Sequence, residues 1–290
     1  MRYLDIGVGA VRHAPSLGAA DIVTSAMATY LDRILDRHRE VANADDRDVA
    51  NLVQAARAMP ATRPFAESLL SAVDRGELAV ISEIKRRSPS KGALNADLDP
   101  TLMAKTYESG GSAGLSVLTD EEFFGGSIDD LQAARGAVLL PVLRKDFTVS
   151  ARDVCDARLM GADCVLLIAA ALSRAELIDL HSVADDIGIE VLVEIHDEPE
   201  LEVALAAGAR LVGVNQRDLV TFEVDHERAV RMAGVIPSDV VKVAESGVRG
   251  PVDAAALHAA GYHAVLVGET LVTASDPAAV LRTLRFCRAE

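Results

Sequence analysis

From residue 79 to the C-terminus, short apolar runs alternate with longer amphipathic segments. The runs are Ala79–Ile84, Gly114–Leu118, Leu139–Leu143, Cys164–Ile168, Glu190–Ile195, Arg210–Val214, Val240–Ala244 and Ala264–Val267. Each is rich in Val, Ile and Leu without polar alternation, the pattern of parallel strands covered on both faces. The stretches between them predict helices. Ser127-x-x-Asp130, Ser173-x-x-Glu176 and Asp197-x-x-Glu200 resemble capping boxes, and Pro100 and Pro277 each follow an Asp at a first helical position. Gly161, Gly188, Gly208 and Gly261 stand where those helices should stop. Eight such βα units in roughly 210 residues predict an α/β fold, a single closed (β/α)8 TIM barrel. The alternative, an open doubly wound sheet, more often shows fewer strands and a glycine fingerprint after the first.

The chain before residue 79 has a different rhythm. Leu31, Ile34, Leu35 and His38 recur at helical spacing, and Pro64 to Gly76 frames a second helix carrying Phe65, Leu69, Leu70 and Val73. The first residues lack such periodicity. The expected organisation is a poorly ordered leader over 1–27, a helical extension over 28–78 and a catalytic barrel over 79–290.

Composition narrows the function classes. With 29 Lys and Arg against 44 Asp and Glu the formal charge is −15 and the sequence pI about 4.9, which argues against nucleic-acid or anionic-membrane partners. Aromatic residues make up 3% and Trp is absent, so base-stacking platforms are not expected either. Cys155, Cys164 and Cys287 form neither an even set nor a Cys-x-x-Cys pair, which suits reduced thiols and a cytoplasmic location. The longest apolar run, Cys164 to Ser173, is short of a membrane span, and Arg2, Asp5 and Arg12 interrupt any signal-peptide core.

In a barrel of this type chemistry sits where strands end and βα loops begin. Reactive side chains concentrate there: Glu83 and Lys85 after the first strand, Arg144, Lys145 and Asp146 after the third, Glu194 and His196 after the fifth, Asn215 and Arg217 after the sixth. Glu245, Ser246 and Gly247 end the seventh strand, and Gly268 and Glu269 the eighth. Glu83 and Lys85 are two apart and so share a strand face, as a structural ion pair or as part of a site. Lys145 and Glu194 form a second acid–base couple at the same mouth. Ser88-Pro89-Ser90-Lys91-Gly92 offers hydroxyls, backbone donors and a basic run from Lys85 to Lys91. Glycines 247 and 268 let backbone N–H groups approach an anion, in the loops where this fold binds phosphate, so a phosphorylated substrate is expected. The alternative is that both glycines serve tight turns.

Other motifs fall short. Gly7-x-Gly9 lacks a preceding strand and a third glycine, no phosphate-binding Gly-x-x-x-x-Gly-Lys-Ser/Thr run exists, and the histidines show no metal-binding spacing. Glu194 and His196 read as a hydrogen-bonded strand end. Phe123-Phe124-Gly125-Gly126-Ser127 reads as a flap or a packed loop. No metal and no cofactor is expected.

Together these motifs resemble the indole-3-glycerol phosphate synthase family. The resemblance rests on Glu83-Ile84-Lys85 through Ser88-Pro89-Ser90-Lys91-Gly92, Ser116-Val117-Leu118-Thr119-Asp120, Leu143-Arg144-Lys145-Asp146-Phe147, Gly161-Ala162-Asp163, Asn215-Gln216-Arg217-Asp218-Leu219, Glu245-Ser246-Gly247 and Val267-Gly268-Glu269, in order from about residue 28 to the end. It implies cyclisation of 1-(2-carboxyphenylamino)-1-deoxyribulose 5-phosphate, with loss of carbon dioxide and water, to indole-3-glycerol phosphate. By the same resemblance Lys145 is the general acid and Glu194 its partner, with Glu83 as a second carboxylate. Lys85 would hold the substrate carboxylate, Asn215 and Arg217 the ribulose hydroxyls, and Ser246 would line the pocket. Phosphate would rest on Ser88, Gly247, Gly268 and the backbone of Glu269, beside Pro89, while Phe124 and Phe147 enclose the aromatic ring.

Further expectations attach to this reading. Two lysines in one mouth should lower each other's pKa. The basic residues from Lys85 to Lys91, with Lys145 and Arg217, should gather positive charge there. The extension should lie over the mouth as a partial lid. After Phe147 the chain reads Ser150-Ala151-Arg152-Asp153 where the family usually has an Asp-Pro-Tyr-Gln-like stretch, so the loop after the third strand is expected to pack in its own way. The partner is a small phosphorylated molecule and the chain a monomer or weak homo-oligomer. The rivals are a Schiff-base aldolase using Lys85 or Lys145, and a non-catalytic phospho-ligand-binding barrel.

Overall fold

The computed structural model describes residues 19–89, 91–218 and 221–286, with side chains from residue 31. Ser90, Leu219 and Cys287 lie outside the described residues, as do residues 1–18 of the expected leader. Eight parallel strands close into a barrel: β1 (Ala79–Ile84), β2 (Gly114–Leu118), β3 (Val142–Lys145), β4 (Cys164–Ile168), β5 (Glu190–Ile195), β6 (Leu211–Asn215), β7 (Val241–Glu245) and β8 (Ala264–Val267). Each pairs with its sequence neighbours, and β8 pairs with β1. This is a (β/α)8 TIM barrel.

Alternation along each strand divides the core in two. Ile81, Leu143, Leu166, Leu192, Val243 and Leu266 fill the barrel interior, whereas Val80, Val117, Val165, Val193 and Val265 belong to the layer packed under the surrounding helices. The same parity carries Glu83, Lys145, Glu194, Asn215 and Glu245 inward, one step beyond the interior apolar layer.

Helix ends follow the signals in the sequence. Ser173 and Glu176 form a full capping box, Ser127 accepts from the Asp130 N–H, and Asp99 and Asp276 cap the helices begun by Pro100 and Pro277. Ser150 and Asp153, where the sequence departs from its family, form a capping box that opens the helix Ala151–Leu159. Strand three differs from its predicted span. It begins at Val142, and Leu139 is 84% exposed, because the ladder opens with the Pro141 carbonyl accepting from the Leu115 N–H. Strands six and seven also sit one residue later than their apolar runs.

The extension contains α1 (Ala19–Ala44), α2 (Val49–Arg57) and α3 (Phe65–Asp74). The backbone of α1 is already helical at Ala19, inside the expected leader. Its later side chains reach the C-terminal ends of the strands: His38 Nε2 lies 3.0 Å from Asp120 Oδ2, and Arg39 donates to Glu176 (2.8 Å) and to the Ala171 carbonyl (3.1 Å). In α3, Phe65, Leu69 and Ala72 join the interior cluster while Leu70 faces solvent. The Phe65 and Ala66 N–H groups donate to Glu190, the first residue of β5, at 2.6 and 2.9 Å. Helix α3 therefore closes the end of the barrel opposite α1. Helix α2 was not expected from the sequence, although Val49, Leu52, Val53 and Ala56 recur at helical spacing and Leu52, Val53 and Ala56 pack into the layer under the barrel helices.

Candidate active site

Five strand ends supply the polar layer at the C-terminal mouth. Lys145 Nζ donates to Glu194 Oε2 and to Glu245 Oε2, each at 2.7 Å. The other Glu194 oxygen accepts from Asn215 Nδ2 at 2.9 Å, and Asn215 Oδ1 accepts from the Arg217 N–H at 3.0 Å. Lys85 pairs with Glu83 across the same mouth. Glu83, Glu194 and Glu245 are each at most 3% exposed.

One ammonium between two buried carboxylates cannot neutralise both. Burial opposes the charge on Lys145, but Glu194, Glu245 and Glu83 outweigh it and hold the ammonium above the usual lysine range. Burial also opposes ionisation of Glu194, yet Lys145, His196 and the Asn215 hydrogen bond bring its carboxyl down to about 2. Glu245 goes the other way. Burial pushes it up to about 7, with Glu194 and Glu83 adding to the rise against the pull of Lys145. The expectation of mutually depressed lysines is thus corrected: the charges that dominate at Lys145 are carboxylates.

Two glycines make room for this layer. A β-carbon at Gly213 would collide with the Glu245 carboxylate, and one at Gly268 with that of Glu83. Beyond Glu245 the backbone turns through Ser246 at φ 65° and Gly247 at φ 76°. A serine in the left-handed region is strained, and Gln216 holds it by donating to the Ser246 carbonyl at 2.7 Å.

The fourteen residues to which the resemblance gives a role all line one cavity of about 600 Å³. Gly247, Gly268 and Glu269 border it, the last two opening the short helix Glu269–Val272, and the buried Ser88 Oγ has no hydrogen-bond partner. On another side Phe124 and Phe147 stand 6.2 Å apart, and the His38 ring of α1 lies 5.5 Å from Phe147. Asp120 caps the short helix Glu121–Phe124 that carries Phe124, which fits the packed-loop alternative.

The basic run after β1 is divided rather than pooled. Lys85 and Lys91 line the cavity, but Arg86 pairs with Asp130 and donates to the Leu98 and Gly125 carbonyls, and Arg87 bonds the carbonyls of Glu121 and Glu122. These two arginines fasten the loop. Arg249, not singled out from the sequence, borders the cavity with Lys145 and Arg217. Glu245 was also assigned no role from sequence, though it ends a strand at the inward parity shared by Glu83 and Glu194.

Among the described residues one group has the composition of a metal site, His38, Asp120 and Asp146, with its donor atoms within 4.8 Å of one another. Its carboxylates are already engaged. Asp120 accepts from the Phe123 and Phe124 N–H groups, and Asp146 from Arg144, Thr119 and the Phe147 N–H. The set reads as the anchor of α1.

A family model described as indole-3-glycerol phosphate synthase matches residues 31–284. Curated proteins of that name are similar to this chain. The one from Rhodopirellula baltica is 48% identical over 250 residues, spanning 86% of this chain and 95% of its own length. The Parafrankia protein is 49% identical over 249 residues (85% and 91%), and that of Mycobacteroides abscessus 47% over 251 residues (86% and 91%). Among solved structures, a thiamine phosphate pyrophosphorylase from Pyrococcus furiosus superposes with a TM-score of 0.55 at 14% identity, covering 71% of this chain and 93% of that one, a likeness of fold alone.

Proposed function

The chain belongs to the indole-3-glycerol phosphate synthase family, and we propose that Lys145 is the general acid of the ring closure this family of carboxy-lyases performs in tryptophan biosynthesis. The reaction converts 1-(2-carboxyphenylamino)-1-deoxyribulose 5-phosphate to indole-3-glycerol phosphate, releasing carbon dioxide and water. The observation that carries the assignment is the buried ammonium held 2.7 Å from both Glu194 and Glu245.

In this reading Lys145 protonates the ribulose carbonyl as the aromatic ring carbon attacks it. Its proton is then restored through the carboxylates that flank it. Glu194 takes part in the proton transfers of dehydration, and Glu83 serves the amine and the departing hydroxyl. Glu245, with its carboxyl near neutrality, joins the set as the group that can hold or release a proton at working pH. Lys85 receives the substrate carboxylate, while Asn215 and Arg217 orient the hydroxyls beside Ser246. The phosphate lies against Ser88, Gly247, Gly268 and the Glu269 backbone, with Pro89 shaping the loop. Phe124 and Phe147 hold the ring over the carbonyl, so much of the advantage comes from proximity.

The orphan Ser88 hydroxyl and the helix start at Glu269 support the phosphate assignment. A Schiff-base reading needs a neutral amine, and the carboxylates around Lys145 keep it charged. The helix α1 covers part of the mouth as a partial lid. No described helix is long and apolar enough to cross a membrane, and Cys155 and Cys164 are buried free thiols, which suits the reducing cytoplasm. The test is direct: purified protein mixed with the carboxyphenylamino-deoxyribulose phosphate in metal-free buffer should develop indole fluorescence, borohydride should trap no adduct, and absence of turnover would refute the assignment.

A further inference from the structure

A half-buried histidine stands between the catalytic cavity and a second opening on the surface. His196 directly follows β5. Its backbone N–H and its Nδ1 both meet Glu200 Oε2, at 2.7 and 3.1 Å. Glu200 is the third residue of the helix Glu198–Ala206, where a capping-box glutamate would fold back onto the backbone of the N-cap, Asp197. Here it reaches one residue further and holds the imidazole instead.

The other ring nitrogen points inward. Nε2 is sealed from solvent, has no hydrogen-bond partner and lies 4.0 Å from Glu194 Oε1. A buried polar atom without a partner is uncommon and calls for an explanation. Glu194 and His196 line different spaces. Glu194 borders the 600 Å³ catalytic cavity, whereas His196 and Glu200 border a more open groove of about 760 Å³ beside Asp218 and Arg228.

Loss of carbon dioxide from a carboxylate and of water consumes one proton per turnover, so once Lys145 has protonated the carbonyl its ammonium must be recharged from solvent. One oxygen of its partner Glu194 faces Lys145, and the other faces the Asn215 amide, which has no proton to give up. We propose that His196 relays a proton from water in the flanking groove, through Glu200, to Glu194 and so back to Lys145. Glu200 takes a proton from water and passes it to Nδ1 of the neutral ring. The imidazolium then releases its Nε2 proton to the Glu194 carboxylate, which hands it to the neutral Lys145 amine. One proton leaves solvent, one ammonium is restored, and no electrons change hands.

The charges facing the ring favour this role. Burial opposes protonation of His196, but the Glu200 hydrogen bond and the carboxylates of Glu194 and Glu200 raise its pKa above the ordinary value, against a smaller opposing effect of Arg228. The relay rests on Glu194 being a proton-transfer group, and the variants separate the two ideas. Gln at 196 keeps a polar group near the Nε2 position and Asn keeps one near Nδ1, but neither carries a proton through.

In steady-state assays H196Q and H196N should each lower kcat by about tenfold or more while KM stays within about twofold. Imidazole added to the buffer can enter the groove and should restore turnover to both variants without accelerating the wild type. E194Q should be inactive with or without imidazole. A wild-type kcat in H196Q, with E194Q inactive, would overturn the relay and leave Glu194 in place. Recovery of full activity in H196N alone would also overturn it, since bracing Glu200 would then be the ring's whole task. Full activity in E194Q would overturn both.

Discussion

Lys145 and Glu245, a hundred residues apart in sequence, meet at 2.7 Å inside the barrel mouth, and the carboxylate of that pair keeps its proton up to about pH 7. The cause is that Glu194 claims the same ammonium and is itself held near 2. A cation shared between two acids leaves one of them to hold a proton, which is what acid–base chemistry near neutrality requires.

Replacing Lys145 by Met should therefore do more than remove a proton donor. We expect kcat to fall by about 10²- to 10⁴-fold, the usual contribution of a general acid. Substrate binding, followed by calorimetry, should survive, because the phosphate and ring contacts are elsewhere. Turnover within a few-fold of wild type would remove Lys145 from the role of acid.

Glu245 should leave a mark on stability. Its folded pKa of about 7 lies above the ordinary 4.5, so between those values the folded barrel binds more proton than the unfolded chain. Stability from this group accordingly falls as pH rises through that window. Melting of E245Q should lose that part of the pH dependence, and it should gain on the wild type as pH rises from about 5 to about 8. Parallel curves for the two proteins would contradict the assignment.

Gly213 makes room for the Glu245 carboxylate. G213A should displace that side chain and separate it from Lys145, with a stability cost of about 1–3 kcal/mol from overpacking and a fall in kcat larger than the change in KM. The double variant G213A/E245A removes the collision and should recover most of the lost stability in denaturant melts.

Ser246 illustrates strain kept for function. Its φ of 65° suits glycine better than serine. S246G should stabilise the fold by about 1 kcal/mol while lowering activity through loss of the hydroxyl at the cavity wall. A destabilised S246G would show that the serine side chain contributes more to folding than the backbone strain costs.

His38 joins α1 to the mouth through Asp120 and the face of Phe147. Burial opposes its charge, but the Asp120 hydrogen bond, with Asp146, Asp120 and Asp153, raises its pKa above 6.5. Its stabilising effect is thus complete below the unfolded value and is lost as pH rises through the folded one. H38A should melt lower at pH 6 by about 1–2 kcal/mol of stability, and by less at pH 9. Equal losses at both pH values would assign the effect to packing alone.

Much of this architecture is written locally. Capping residues such as Ser173 with Glu176, and the inward parity shared by Glu83, Glu194 and Asn215, depend on neighbours within a few positions, so the sequence discloses strand count, helix ends and the strand ends at the mouth. Local patterns failed where a distant group decides. Leu139 belongs to an apolar run yet stays outside the ladder, because hydrogen bonding with β2 begins only at Pro141. Arg86 looks like part of a basic cluster, but Asp130, 44 residues away, draws it off the cavity.

By itself, then, the sequence determined a barrel of eight βα units, its mouth and the identity of the side chains gathered there, because backbone periodicity and capping act over one or two turns. The tertiary structure alone decided their protonation and pairing: that Lys145 is shared, that Glu245 rather than a lysine is shifted toward neutrality, and that His196 turns an unpartnered nitrogen on Glu194. Such energies depend on distances of a few ångströms and on burial, and both come from strands 50 to 100 residues apart closing on one another.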